Sequence, residues 1–161
     1  MLVKFDTLPS TSRVWVYQSN RAFLDKEIEK ISLLLKDFIL NWNNHGDGLK
    51  ASFQIKYNQF IVLAIDEAHK QASGCSIDSS VQIIKKIEKE FAVNMFDRMQ
   101  TAFKDGENIN LVSISDFQKY AKDNKIHANT IVFNNMVNTK FDYENNWEIT
   151  ANKSWHSRYL N

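Results

Sequence analysis

The chain has 161 residues, enough for one domain or one domain with a small lobe, and 43% of them are hydrophobic, enough for a real core. Twenty basic and 19 acidic residues leave a net charge of +1, so nothing in the balance calls for nucleic acid, and no nucleic-acid partner is expected. The lone cysteine, Cys75, excludes an internal disulfide and a cysteine-rich zinc site, and it fits a reducing compartment.

Met1 to Asp6 has an early charge pair and no apolar run, so no secretory leader is expected. No stretch approaches the roughly 20 apolar residues of a membrane span. The expected location is cytoplasmic. One proline and four glycines argue against a long flexible linker.

Arg13 to Ser19, rich in β-branched and aromatic residues, reads as the first strand, with Asn20 placed to cap a helix. That helix carries Phe23, Leu24, Ile28, Ile31, Leu34, Leu35, Phe38 and Trp42 at threes and fours and stops at Asn43-Asn44-His45-Gly46. Leu49 to Tyr57 alternates as a half-buried strand should, with Lys50, Ser52, Gln54 and Lys56 on the polar side. Phe60 to Ile65 is apolar throughout, as in a strand covered on both faces, and the short Asn58-Gln59 link makes the two a hairpin.

A loop from Asp66 to Asp78 follows, and Asp78 or Ser79 caps a second helix with the stripe Val81, Ile84, Ile87 and Phe91. Met99 to Phe103, before the Asp105-Gly106 turn, supplies a fourth strand. The order β-α-β-β-α-β predicts an α+β, ferredoxin-like sandwich over residues 1–104. Residues 105–161 read as a small α/β extension packed on it. It holds a strand at Ile109 to Ile114, a short helix with Phe117 and Tyr120 capped by Ser115-Asp116, and a strand at Thr130 to Phe133. Thr139 to Trp147 is helical or irregular, and the aromatic end, Ser154 to Leu160, should dock.

Ile61 to Glu67 has the look of a Walker B strand, and Asp66-Glu67-Ala68-His69 even spells a helicase box. Nucleotide hydrolysis of that kind also needs a glycine-rich phosphate loop with Lys and Ser or Thr, and the chain has none. An apolar strand ending in acids is the simpler account.

Gly74-Cys75-Ser76, running to Asp78 and Ser79 before a helix, is an environment that binds anions and lowers a thiol pKa. Cys75 is therefore a candidate nucleophile, with Asp66, Glu67 or His156 as base or orienter. The plainer account is a buried small cysteine beside an ordinary helix cap.

The first and third strands are expected to lie side by side and parallel. Their C-terminal ends would then gather Ser19, Asn20 and Arg21 with Asp66 and Glu67, near Gly74, Ser76, Asp78 and Ser79. Such a rim could hold a small anionic or zwitterionic ligand. A solvated rim with an Arg–carboxylate pair is the plainer account. His45, His69, His127 and His156 make no metal-binding spacing, so neither metal nor cofactor is expected.

The stretches SRVWVYQSNR, LKASFQIKYNQFIVLAIDE, ASGCSIDSS, NTIVFNNMVNTK and SWHSRYL resemble a small uncharacterised family of Bacteroidetes proteins. Members of that family often carry the label "ABC transporter ATPase". This chain lacks both the phosphate loop and an LSGGQ-type signature, so the resemblance implies kinship without an activity. Leu111 to Phe133 is similar to GYF-type modules, although the glycine-tyrosine-phenylalanine signature is absent. That likeness implies recognition of a protein or peptide. The expected function is a non-catalytic module binding a protein partner, peptide or small ligand. A small enzyme built on Cys75 is the alternative.

Overall fold

Alternation and periodicity divide the chain as expected over its first half. β1 (Arg13–Gln18) leads to α1 (Asp25–Leu40) and a two-residue ladder of β2 (Asn43–Asn44) with β3 (Asp47–Gly48). β4 (Ala51–Lys56) and β5 (Phe60–Ile65) make the hairpin, and α2 (Gly74–Phe91) follows. The second half holds β6 (Gln100–Asp105), β7 (Asn108–Ser113), α3 (Ile114–Lys122), β8 (Ile131–Phe133), α4 (Lys140–Asn146) and β9 (Glu148–Thr150). Short 3-10 turns lie at Phe5–Thr7, Ala151–Lys153 and Trp155–Tyr159.

This computed structural model describes residues 1–44, 47–68 and 74–161, with the backbone alone at 43, 44, 47, 48 and 75. His45, Gly46 and His69 lie outside the described residues, and so does the side chain of Cys75. No helix among the described residues is long and apolar enough to cross a membrane.

The architecture is α+β, with two main antiparallel sheets, β1-β5-β4 and β7-β6-β8-β9, among the described residues. The first sheet has the split β-α-β order of the ferredoxin-like expectation, but its first and third strands are antiparallel where they were expected to be parallel, and the expected fourth strand lies elsewhere. β1 runs antiparallel to β5, with Arg13 opposite Ile65 and Gln18 opposite Phe60. β4 is also antiparallel to β5. β1 and β4 are therefore parallel strands joined through α1, with β5 inserted between them. β5 takes the centre because it is the strand that is apolar on both faces: all six of its residues are buried.

The expected fourth strand, β6, does not join this sheet. It pairs with β7 and β8 in the second sheet, which therefore begins before residue 104 and crosses the expected boundary at 104/105.

The layers stack as helices, sheet, sheet, helix and tail. Ile61 and Leu63 of β5 face α1 and α2, where Ile31, Leu35, Ile84 and Ile87 meet them. Phe60, Val62 and Ala64 face the second sheet and pack with Ala102, Phe133, Tyr143 and Trp147. The outer face of the second sheet, Phe103 and Val132, lies under Phe117, Ile126, Tyr159 and Leu160. The aromatic C-terminus thus docks.

Local chemistry sets the details. The hairpin turn is Tyr57-Asn58 instead of Asn58-Gln59; both residues have positive φ (53° and 54°), and Gln59 N–H donates to Lys56 O at 3.0 Å. α3 is capped by Ser113, whose Oγ accepts from Asp116 N at 3.0 Å, and α4 by Thr139 in the same way at 3.1 Å.

Candidate functional site

Antiparallel pairing of β1 and β5 breaks up the rim expected from the sequence. The C-terminal end of β1 lies beside the start of β5, so Ser19, Asn20 and Arg21 sit at one end of the sheet. Asp66 and Glu67 sit at the other, beside Arg13.

The first group is a latch. Arg21 donates to both Glu27 carboxylate oxygens at 2.7 and 2.9 Å, and to Phe91 O at 2.7 Å. The Arg21 guanidinium, with the Leu24 N–H, holds the Glu27 carboxyl down at about 2. Asn20 Oδ1 accepts from Asn94 N at 2.8 Å, and the buried Ser19 is held by Gln59 Nε2 on its carbonyl at 3.0 Å. These three residues tie the β1–α1 connection to the end of α2 and to the hairpin turn. At the other end, Glu67 pairs with Arg13 at 3.8 Å, and Asp66 Oδ1 accepts from Ala68 N at 2.9 Å.

Nor does His156 join the acids. It is fully buried against β6, with Nε2 2.6 Å from Thr101 Oγ1 and Nδ1 2.8 Å from Ser154 Oγ. Burial pushes its pKa down to about 4, so the ring is neutral and committed to its two hydroxyls.

Gly74, Ser76, Asp78 and Ser79 do not form a loop in front of a helix. α2 already begins at Gly74, so they lie within its first turns. The reason is periodic: buried Ser76 and Ser80 continue the inward stripe of Ile84 and Ile87 toward the N-terminus. There Trp42 Nε1 donates to the Ser76 backbone carbonyl at 3.0 Å, and Tyr17 hydrogen-bonds the Ser80 side chain.

Asp78 and Ser79 are thereby brought to a groove between α1 and α2, while Ser76 lies buried. Trp42 reaches the N-terminal end of α2, and Arg21, just before α1, reaches its C-terminal end. The two helices are therefore antiparallel neighbours. Between them runs a cavity of about 630 Å³ with an apolar floor of Leu34, Phe38, Trp42 and Ile83. Phe38 packs on Trp42 with ring centroids 4.8 Å apart. Asp37, Asn41, Asp78, Ser79, Gln82 and Lys86 form the polar rim. On the same helix Leu33 is 63% exposed and Leu40 64% exposed. These two leucines lie on the outward face of α1, off the groove lining; the sequence signal for the groove is Leu34 and Phe38, which widen the inward stripe to one side.

No family model, curated protein or solved structure matches the chain.

Two further cavities were not anticipated from the sequence. The larger, about 830 Å³, opens on the outer face of the second sheet. β6 and β8 pair only at Phe103–Val132, and the gap beyond, between Lys104-Asp105 and Asn129-Thr130-Ile131, forms its mouth. Its wall mixes polar side chains with Phe103, Leu111, Val112 and Ile131, and Lys125 lies over the Tyr120 ring at 5.5 Å. A smaller cavity of about 270 Å³ lies at the edge between the sheets, near Phe5, Gln54, Tyr143 and Trp147.

The Tyr143 hydroxyl donates to Gln54 Oε1 at 2.9 Å, and burial holds it protonated well above the usual tyrosine range. Beside it the Tyr57 hydroxyl donates to Glu148, and Lys104 pairs with Glu148 and reaches the Tyr57 oxygen at 3.1 Å. Despite burial, which raises it, the Glu148 carboxyl is held below its ordinary value by Lys104 and Tyr57. These groups satisfy one another and clasp the hairpin turn to the second sheet. Among the described residues no cluster of His, Cys, Asp and Glu could hold a metal ion.

Proposed function

We propose that this chain is a non-catalytic binding module that engages a protein partner through the α1–α2 groove. One observation carries the proposal: an apolar floor of Leu34, Phe38, Trp42 and Ile83 stands open between two surface helices. Contiguous exposed apolar surface costs solubility and is retained where something covers it. The cavity on the second sheet supports binding less well, because charged and polar side chains are interspersed through its lining and its Lys104 is already paired with Glu148.

The enzyme alternative draws no support from His156, which is enclosed, neutral and bonded to Thr101 and Ser154. The single thiol favours the cytoplasm as the place of action.

The test is site-specific photo-crosslinking in cells. A crosslinker replacing exposed Gln82, on the groove rim, is compared with one replacing exposed Glu107, on the β6–β7 turn. A discrete adduct from position 82 alone, lost when Ser79→Trp is added to fill the groove, is the expected result. Identical adduct patterns from both positions, or none from position 82, would sink the proposal.

A further inference from the structure

The groove has a direction as well as a floor, and the direction comes from charge. Asp37 and Asp78 stand on the rim toward Trp42, and Lys86 stands toward Leu34 and Ile83. All three are exposed. Asp78 and Lys86 make no ion pair or hydrogen bond among the described residues, and the Asp37 carboxylate takes only a 3.5 Å contact from Asn41. Because α1 and α2 are antiparallel, their own dipoles oppose at each end of the groove, and the side chains decide its polarity. From Asp78 to Lys86 is eight residues of α2, roughly 12 Å at about 1.5 Å per residue. That span matches about two turns of a third helix.

Resting on the protein-binding function above, we infer that the occupant is an amphipathic helix of the partner. Its N-terminal end lies against Asp37 and Asp78, and its C-terminal end lies against Lys86. The chemistry fits in three respects. A furrow between two packed helices has the width and ridge spacing that accept a third helix's side chains. Apolar residues at i, i+3, i+4 and i+7 of the occupant would cover Leu34, Phe38, Trp42 and Ile83. The occupant's positive dipole end, with Lys or Arg in its first turn, meets the two aspartates; its negative end, with Glu or Asp in its last turn, meets Lys86.

Two hydrocarbon-stapled 14-residue peptides with the same leucine stripe test this. One carries lysines in its first turn and glutamates in its last; the other carries the reverse. The staple equalises helicity, which the terminal charges would otherwise bias. Binding to the full chain is read by fluorescence anisotropy.

The lysine-first peptide should bind on the order of tenfold more tightly, with the preference reversed in an Asp78→Lys, Lys86→Glu double variant. Both positions are exposed, so the variant keeps the core. Equal binding of the two peptides would overturn the polarity and leave the groove function standing. Absence of binding by both, while the position-82 adduct persists, would overturn the helical occupant alone. Binding unaffected by Gln82→Trp, which fills the groove, would remove both. Concentration-dependent self-association lost in Gln82→Trp would mean that a second copy of the chain is the occupant, and would also overturn the inference.

Discussion

His156 carries a penalty that can be measured. A neutral imidazole fully enclosed between Thr101 and Ser154, with its pKa near 4, resists a proton that the unfolded chain accepts at about 6.5. Between those values the unfolded state binds more protons, so stability rises with pH. The contribution is complete above about pH 6.5 and is lost as pH falls toward about 4, amounting to at most on the order of 3 kcal/mol. The melting temperature should therefore fall steadily from pH 7 to pH 4.5. His156→Gln should be less stable at pH 7 yet show a flatter profile over that range; an unchanged slope would remove His156 as the cause. Glu27, held at about 2, acts in a lower window, as pH falls from about 4.5 through 2, so the two effects separate.

At the level of elements, the latch around Arg21 joins three of them. Its guanidinium spans Glu27 in the first turn of α1 and the Phe91 carbonyl at the end of α2. Arg21→Ala leaves that carbonyl and the Glu27 carboxylate short of partners. A cost of about 1–3 kcal/mol is expected, read as a lower denaturant midpoint with an unchanged m-value. An unaltered midpoint would mean that water replaces the guanidinium without loss.

Elements were legible in the sequence where periodicity is long: the α1 stripe, the alternation of β4 and the unbroken apolar β5 were all readable. The start of α2 was not. Ser76 and Ser80 are buried for want of space, and a serine pair carries no hydrophobic signal. The polar side of β4 likewise reads as solvent-facing, yet Gln54 meets the Tyr143 hydroxyl of α4.

Across the whole molecule, β6 is the seam. It belongs by sequence to the first unit and by pairing to the second sheet, through Gln100–Ser113 on one side and Phe103–Val132 on the other. A fragment of residues 1–104 would leave β6 without either partner and bare the Phe60, Val62 and Ala64 face of β5. It should aggregate or unfold without a cooperative transition, whereas the full chain melts as one unit. A soluble fragment with native-like near-UV circular dichroism would contradict this dependence.

The sequence by itself determined the α+β class, the principal helices and strands and the central, doubly covered place of β5. Those follow from side-chain period and composition, which are local. Tertiary structure alone decided the sheet that β6 joins and the company that Arg21, Asp66 and His156 keep. A strand's own side-chain period does not name its neighbours, so the partners of β6 depend on long-range packing. The candidate site had the same origin: Asp78 and Ser79 were legible as polar residues near a helix start, but only the antiparallel packing of α1 on α2 set them beside Phe38 and Trp42.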